Sequence, residues 1–483
     1  MPSDLRKKTT RGLFWSSVDR FSNQGIQFVF SIILARILAP SDYGIVAMIV
    51  VFTAIAGTFV DGGFTNALVR KPELSELDKS TAFYFNIVVG FVCYALLFFT
   101  SPFIASFYKT PILSPIVKVT GLNVIFGSFC VVQRALLTKD VNFKTQAKIT
   151  MACTVISGLI GLFMAYSGYG VWALVVQSTA SNIFNCIFLW FCSRWRPILA
   201  FSKDSFKYLF GFGSKLMLSS LINTVYDNIY PMVIGKFYNS AQLGMFSRAQ
   251  NFAQLPSMTF TGIMQRVTFP VLSLIQNDDA RLSNDYRRLL RISGFIVFPI
   301  MMMLAAVASP LIRIMITSKW DGCVIYLQIL CFALMWYPIH AINLNLLQVK
   351  GRSDLFLRLE IIKKIIGVIV MCITIPMGVT AMCFGIVFIY IISLFINTYY
   401  TGKIIHVGYL CQLKDLCPIF MSSILMGGIA YSITFLFGIE WCRLLIPIFI
   451  GIIIYFALSY FFMNSELYDV LNLIRKNKDE KSL

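Results

Sequence analysis

The sequence predicts an all-α, polytopic membrane protein, and three observations predict it. Of 483 residues, 58% are hydrophobic and only 13% charged, against about 25% charged in an ordinary soluble domain. The mean hydropathy is +0.76. Apolar runs of about 20 residues, each able to cross a hydrocarbon core of about 30 Å, recur from end to end. The net charge of +19 fits the positive-inside rule, which loads cytoplasmic loops with Lys and Arg. No nucleic-acid partner is expected.

About fourteen spans are expected from this hydropathy. Span 1 covers 13–38 and span 2 covers 43–67. The basic leader MPSDLRKKTTRG resembles the start of a signal peptide. The segment after it is too long and polar for an h-region, and no small-x-small site closes it. It is read as an uncleaved span. Spans 3 and 4, at 82–107 and 112–136, flank Lys109. Spans 5 and 6, at 146–167 and 170–193, end at Arg194, Arg196 and Lys203. Spans 7 and 8, at 208–235 and 241–265, flank Lys236. Arg281, Arg287 and Arg288 precede spans 9 and 10, at 289–312 and 323–348, which flank Arg313 and Lys319. Spans 11 and 12 cover 356–376 and 380–402, and spans 13 and 14 cover 416–437 and 441–463. Most of the 41 Lys and Arg then fall on one side, which predicts that both termini are cytoplasmic.

An internal repeat is visible at an offset of about 200. ILARILAPSDYG lies over VIGKFYNSAQLG, so that Arg36 meets Lys236, Gly44 meets Gly244 and Asn23 meets Asn223. GVWAL at Gly170 resembles GVTAM at Gly378. Two six-span lobes follow, 1–200 and 201–408, with spans 13 and 14 and a tail at 409–483. An even number of spans per copy makes the repeat parallel.

The chemistry sits inside the spans. Arg20, Asn23, Gln24 and Gln27 share roughly a 100° arc of span 1, with Asp19 at its edge. Span 7 repeats the stripe with Lys215, Asn223 and Tyr226, and Asp227 at its border. Span 8 adds Arg248 and Asn251, and span 2 adds Thr58, Asp61 and Thr65. A charge at the bilayer centre costs about 2.5–3.5 kcal/mol, so these residues are expected to face a watery cavity between the lobes. The bland alternative is helix–helix glue, or snorkelling for Arg20 and Lys215. Arg20 and Arg248 would suit an anionic substrate, because a guanidinium fork donates two bonds to phosphate. Asp19, Asp61 and Asp227 are candidates for ion coupling. His340 is read as bonding a neighbouring helix, the adjacent acids of QNDDAR at 276–281 as a solvated loop, and Glu360 with Lys364 as a structural pair.

No G-x-x-x-x-G-K-[ST] nucleotide loop occurs, and no C-x-x-C suggests a metal site or disulfide framework. No cofactor is expected.

ARILAPSDYG at 35–44 and GYGVWALVVQ at 168–177 resemble inter-helix turns of the polysaccharide flippases. With its span count and repeat, the whole chain resembles the MOP exporter superfamily, in its Wzx-type branch of lipid-linked oligosaccharide flippases. The resemblance implies a MATE-like V-shaped cavity between lobes, alternating access and an ion-gradient drive. It implies an undecaprenyl-pyrophosphate-linked glycan as substrate, the bacterial inner membrane as location, and a polysaccharide polymerase and chain-length regulator as partners. A multidrug exporter on the same fold would favour acids and aromatics over cations. A membrane-embedded glycan polymerase would need a larger extracytoplasmic loop.

Overall fold

The computed structural model describes residues 22–463 and 465–468. Asp19 and Arg20 lie outside the described residues. Every regular element described is helical. Nine helices or helix pairs are long and apolar enough to span a membrane, and a tenth is a pair bent by 44°. Four further segments, 22–37, 203–237, 240–274 and 353–374, complete fourteen among the described residues. Three of these four correspond to spans 1, 7 and 8.

The chain forms two compact units, Met1–Gly244 and Met245–Leu483. The first contains α1 (22–37), α2 (Pro40–Asp61), α3 (Phe64–Arg70), α4 (Glu76–Phe107), α5 (Leu113–Ser128), α6 (Val131–Lys139), α7 (Phe143–Tyr166) and α8 (Val171–Cys192). It also holds α9 (Lys203–Asp227), α10 (Ile229–Phe237) and the start of α11 (Ser240–Leu274). The repeat reading places a boundary at 200; the compact unit runs further because α9 packs on α2, α3 and α4.

Local chemistry explains the breaks. Pro40 starts α2, its fixed φ suiting a first turn that needs no N–H, and Ala39 N–H donates to Asp42 Oδ2 at 3.0 Å. Gly62 and Gly63 then take left-handed φ of 51° and 71°, which part α3 from α2. Ser75 and Asp78 cap α4 reciprocally, and Lys71 Nζ reaches the buried Asp78 carboxylate at 2.6 Å. The segment 193–202 is stitched along the start of α4. Trp195 Nε1 donates to Glu76 Oε2 at 2.8 Å, while the Ile198 and Ser202 amides donate to Ser80 and Thr81 hydroxyls, each at 3.0 Å.

The second unit contains the rest of α11, then α12 (Asp279–Ala306), α13 (Ala308–Ile316), α14 (Cys323–Leu334), α15 (Tyr337–Val349), α16 (Ser353–Thr374), α17 (Val379–Ile405), α18 (Tyr409–Ile433) and α19 (Glu440–Phe462). Spans 13 and 14 are integral to it, since α18 packs along α12. Arg287 grips Asp415 through two bonds of 2.7 Å, and Arg291 reaches Glu466 at 2.9 Å. Gln412 of α18 donates to Tyr286 Oη at 3.1 Å and Asn343 Oδ1 at 3.0 Å, inside a fully buried network. His340 does bond a neighbouring helix, with Nδ1 3.3 Å from Asn397 Nδ2. The QNDDAR acids are structural: Asp278 caps α12, and Asp279 pairs with Lys350 at 2.6 Å. Glu360 pairs with Lys363, one residue before the expected Lys364; both positions lie on its side of the helix.

Gly170 and Gly378, matched in the repeat, both have positive φ, of 57° and 105°, and both cap the helix that follows, α8 and α17.

Candidate functional site

Two cavities adjoin inside the first unit. The larger, ≈ 370 Å³, lies among α1, α2, α7 and α8. Gln27 and Ser31 come from α1, Tyr43 from α2, and Thr154 and Ser157 from α7. Gln177, Ser178, Ser181 and Asn182 come from α8. Leu34 and Leu174 complete a lining that, among the described residues, has no charged side chain. The second, ≈ 280 Å³, is walled by α2, α3, α5, α6 and α8 and contains Asp61, Thr65, Asn123 and Arg134. Asn182 lines both.

Helix packing sets these positions. On α7, Gly158 and Gly161 have no side chain where their neighbours press in. A Cβ on Gly158 would meet the Phe30 ring at 2.6 Å, and one on Gly161 would meet Gln177 Cβ at 2.9 Å. The two glycines therefore let α1 and α8 close on α7 and set where Gln177 lies. Thr154 Oγ1 donates to Asn23 Oδ1 at 2.6 Å, and Gln27 Nε2 reaches the same oxygen at 3.4 Å. The break at Gly62–Gly63 leaves Asp61 at the end of α2, where it accepts a bond from Thr65 Oγ1 on α3. On α8, Asn182 Nδ2 donates to the Ser178 carbonyl at 3.0 Å. Arg134 Nη2 donates to Asn185 Oδ1 at 3.3 Å. Asn123 Nδ2 reaches Ser178 Oγ at 3.5 Å, while its Oδ1 is buried without a hydrogen-bond partner among the described residues.

The expected residues separate. Asn23 and Gln27 come together at the larger cavity, and half-buried Gln24 lines neither. Asp61 stands in the second cavity. Lys215, Asn223 and Asp227 are exposed on α9, where the neighbouring Thr224 hydroxyl lies 3.2 Å from that of Thr58. Arg248 is 6% exposed, with its guanidinium 5.6 Å from the Trp320 ring centre. Asn251, three residues on and on the same side of α11, is exposed. Sequence reasoning missed Arg134, Asn123, Gln177 and Asn182. The available signal was the polar series Gln177, Ser178, Ser181, Asn182, in which Gln177, Ser181 and Ser178, Asn182 are helical i,i+4 pairs.

Known proteins share this framework. The profile of a family described as "Polysaccharide biosynthesis protein" matches residues 33–325. Escherichia coli (strain K12) lipopolysaccharide biosynthesis protein WzxC is 28% identical over 367 residues, covering 74% of this chain and 73% of its own. Among solved structures, lipid II flippase MurJ in an inward closed conformation superposes with a TM-score of 0.74 at 16% identity, covering 94% of this chain and 99% of MurJ. An inward-facing multidrug resistance MATE transporter of the MOP superfamily superposes with a TM-score of 0.60 at 13% identity, covering 84% and 98%. These two likenesses establish the MOP-type helical fold.

Proposed function

This chain belongs to the polysaccharide biosynthesis protein family, and from that premise we propose that it is a flippase for a lipid-linked oligosaccharide. The substrate is an undecaprenyl-pyrophosphate-linked repeat unit, moved across the bacterial inner membrane by alternating access and driven by an ion gradient. Both termini are cytoplasmic in this reading, as the distribution of Lys and Arg favours. A polymerase and a chain-length regulator act on the translocated unit. Asp19, Arg20, Lys215 and Asp227 are held as candidates for pyrophosphate binding and ion coupling, on the strength of their polar stripes.

One observation carries the reading. Apolar spans wall an open ≈ 370 Å³ cavity lined largely by hydroxyls and amides. Several of these groups bond carbonyls of their own helices while staying half-buried, and their remaining donor and acceptor capacity suits a glycan, which offers hydroxyls in number. A drug exporter for lipophilic cations has no need of this lining. The names of WzxC and MurJ, one in lipopolysaccharide biosynthesis and the other a lipid II flippase, support the same substrate class.

The test is a deletion strain. Lipid-linked precursor should accumulate in the inner leaflet, and the wild-type chain on a plasmid should clear it. Unchanged precursor distribution together with altered drug sensitivity would replace the flippase by an exporter of small molecules.

A further inference from the structure

We infer that the two adjoining cavities of the first unit bind two consecutive uncharged sugar rings of the substrate, and not its pyrophosphate. The identity of that substrate rests on the flippase reading; the binding of sugar does not.

Charge decides first. Among the described residues the larger cavity presents no cation, so a pyrophosphate entering it would give up hydration with no counter-charge from them. In the second, Arg134 is offset by Asp61, and a dianion drawn to the guanidinium would meet a carboxylate in the same space. Hydroxyls suffer neither penalty. Each both donates and accepts, and the amides of Gln27, Gln177 and Asn182 offer both capacities in one side chain. Asp61 accepts and Arg134 donates, so the second cavity also offers both capacities.

Unused bonding capacity points the same way. Asn123 Oδ1 is buried with no hydrogen-bond partner among the described residues. That state is costly unless a ligand or water supplies a donor. Its Nδ2 lies 3.5 Å from Ser178 Oγ, and Oδ1 would meet a hydroxyl once the amide turns toward the cavity that Asn123 lines.

Size sets the number of rings. At ≈ 370 and ≈ 280 Å³ the cavities sit at the small end of ligand sites, which span roughly 300–1,000 Å³. Each suits one ring. Asn182, common to both linings, stands where the linkage between rings would pass.

The test uses the full chain, purified into lipid nanodiscs. The probes are a panel of neutral methyl disaccharides, methyl β-cellobioside and methyl β-lactoside among them, methyl glucoside as the single ring, and inorganic pyrophosphate. Binding is read by saturation-transfer NMR and competition. At least one disaccharide should bind the wild type, and pyrophosphate should not displace it. Gln177→Leu and Asn182→Leu should weaken it by about threefold to tenfold, the loss of one hydrogen bond. Gln177→Asn, with an unchanged size-exclusion profile, should retain part of the affinity. Arg134→Gln should weaken the disaccharide more than methyl glucoside. Failure of every disaccharide to bind, displacement by pyrophosphate, or indifference to the α8 substitutions would overturn the inference. Precursor accumulation in the deletion strain is scored separately. Inner-leaflet accumulation with no sugar binding would remove this site and leave the flippase standing. Sugar binding without accumulation would do the reverse.

Discussion

Gly44 and Gly244 occupy reciprocal positions at one helix crossing. A Cβ on Gly44 would fall 1.7 Å from the Ser240 carbonyl oxygen, and a Cβ on Gly244 would fall 1.9 Å from that of Pro40. Each glycine thus faces the first residue of the helix that carries the other. The residues pair at the 200-residue offset read from the sequence, so the repeat is written into a backbone contact. The capping follows it: Ala39 N–H donates to Asp42, and at the matching turn Gln242 N–H donates to Asn239 Oδ1 at 2.8 Å.

Alanine at either glycine must therefore move backbone. Gly44→Ala and Gly244→Ala should each destabilise by about 1–3 kcal/mol, the usual range for overpacking, or more. The double variant should lose less than the sum, because both substitutions strain one contact. Thermal unfolding in detergent checks this. Gly211→Ala, where a Cβ has nothing within 4 Å, should be neutral or better.

Gly161→Ala and Gly158→Ala should part company. The first presses on Gln177 and should lower export while leaving protein level near normal. The second presses on Phe30, a packing contact, and should act on protein level first. Quantitative blots beside precursor assays separate the two.

Arg248→Ala should lower protein level and keep export per molecule. The side chain is packed over Trp320, a contact worth about 0.5–2 kcal/mol, and its removal leaves a hole. Arg248→Met should recover part of the level by restoring volume. A normally abundant, export-dead Arg248→Ala would instead return this residue to a substrate cavity.

Asp415→Asn should loosen α18 from α12. Two bonds of 2.7 Å to Arg287 lose their charge assistance, a change of about 1.5–3 kcal/mol for a hydrogen bond to a charged group. The expected result is a lower melting temperature, with Asp415→Glu between the variant and wild type. An unchanged melting curve would make the clasp ornamental.

The helices and their repeat were legible because hydropathy over 20 residues averages out single exceptions. Gly170 and Gly378 were legible as a pair because a turn that needs positive φ leaves glycine behind. The site was harder to read. Its polar residues are spread over seven helices, and a neutral residue such as Asn182 looks the same in sequence whether it joins two helices or lines a cavity. The break at Gly62–Gly63, which sets Asp61, was hidden inside one apolar span. Arg248 reads in the sequence as water-facing because it is a charge in a span, and the Trp320 indole beside it is 72 residues away in the chain.

The segment 193–202 would look, to anyone inserting an epitope or a fluorescent reporter, like a convenient basic loop between two spans. Its amides and its tryptophan are hydrogen-bonded along the first turns of α4, so it behaves as a seam. An insertion there would unpick the sewing that holds α4 to the start of α9.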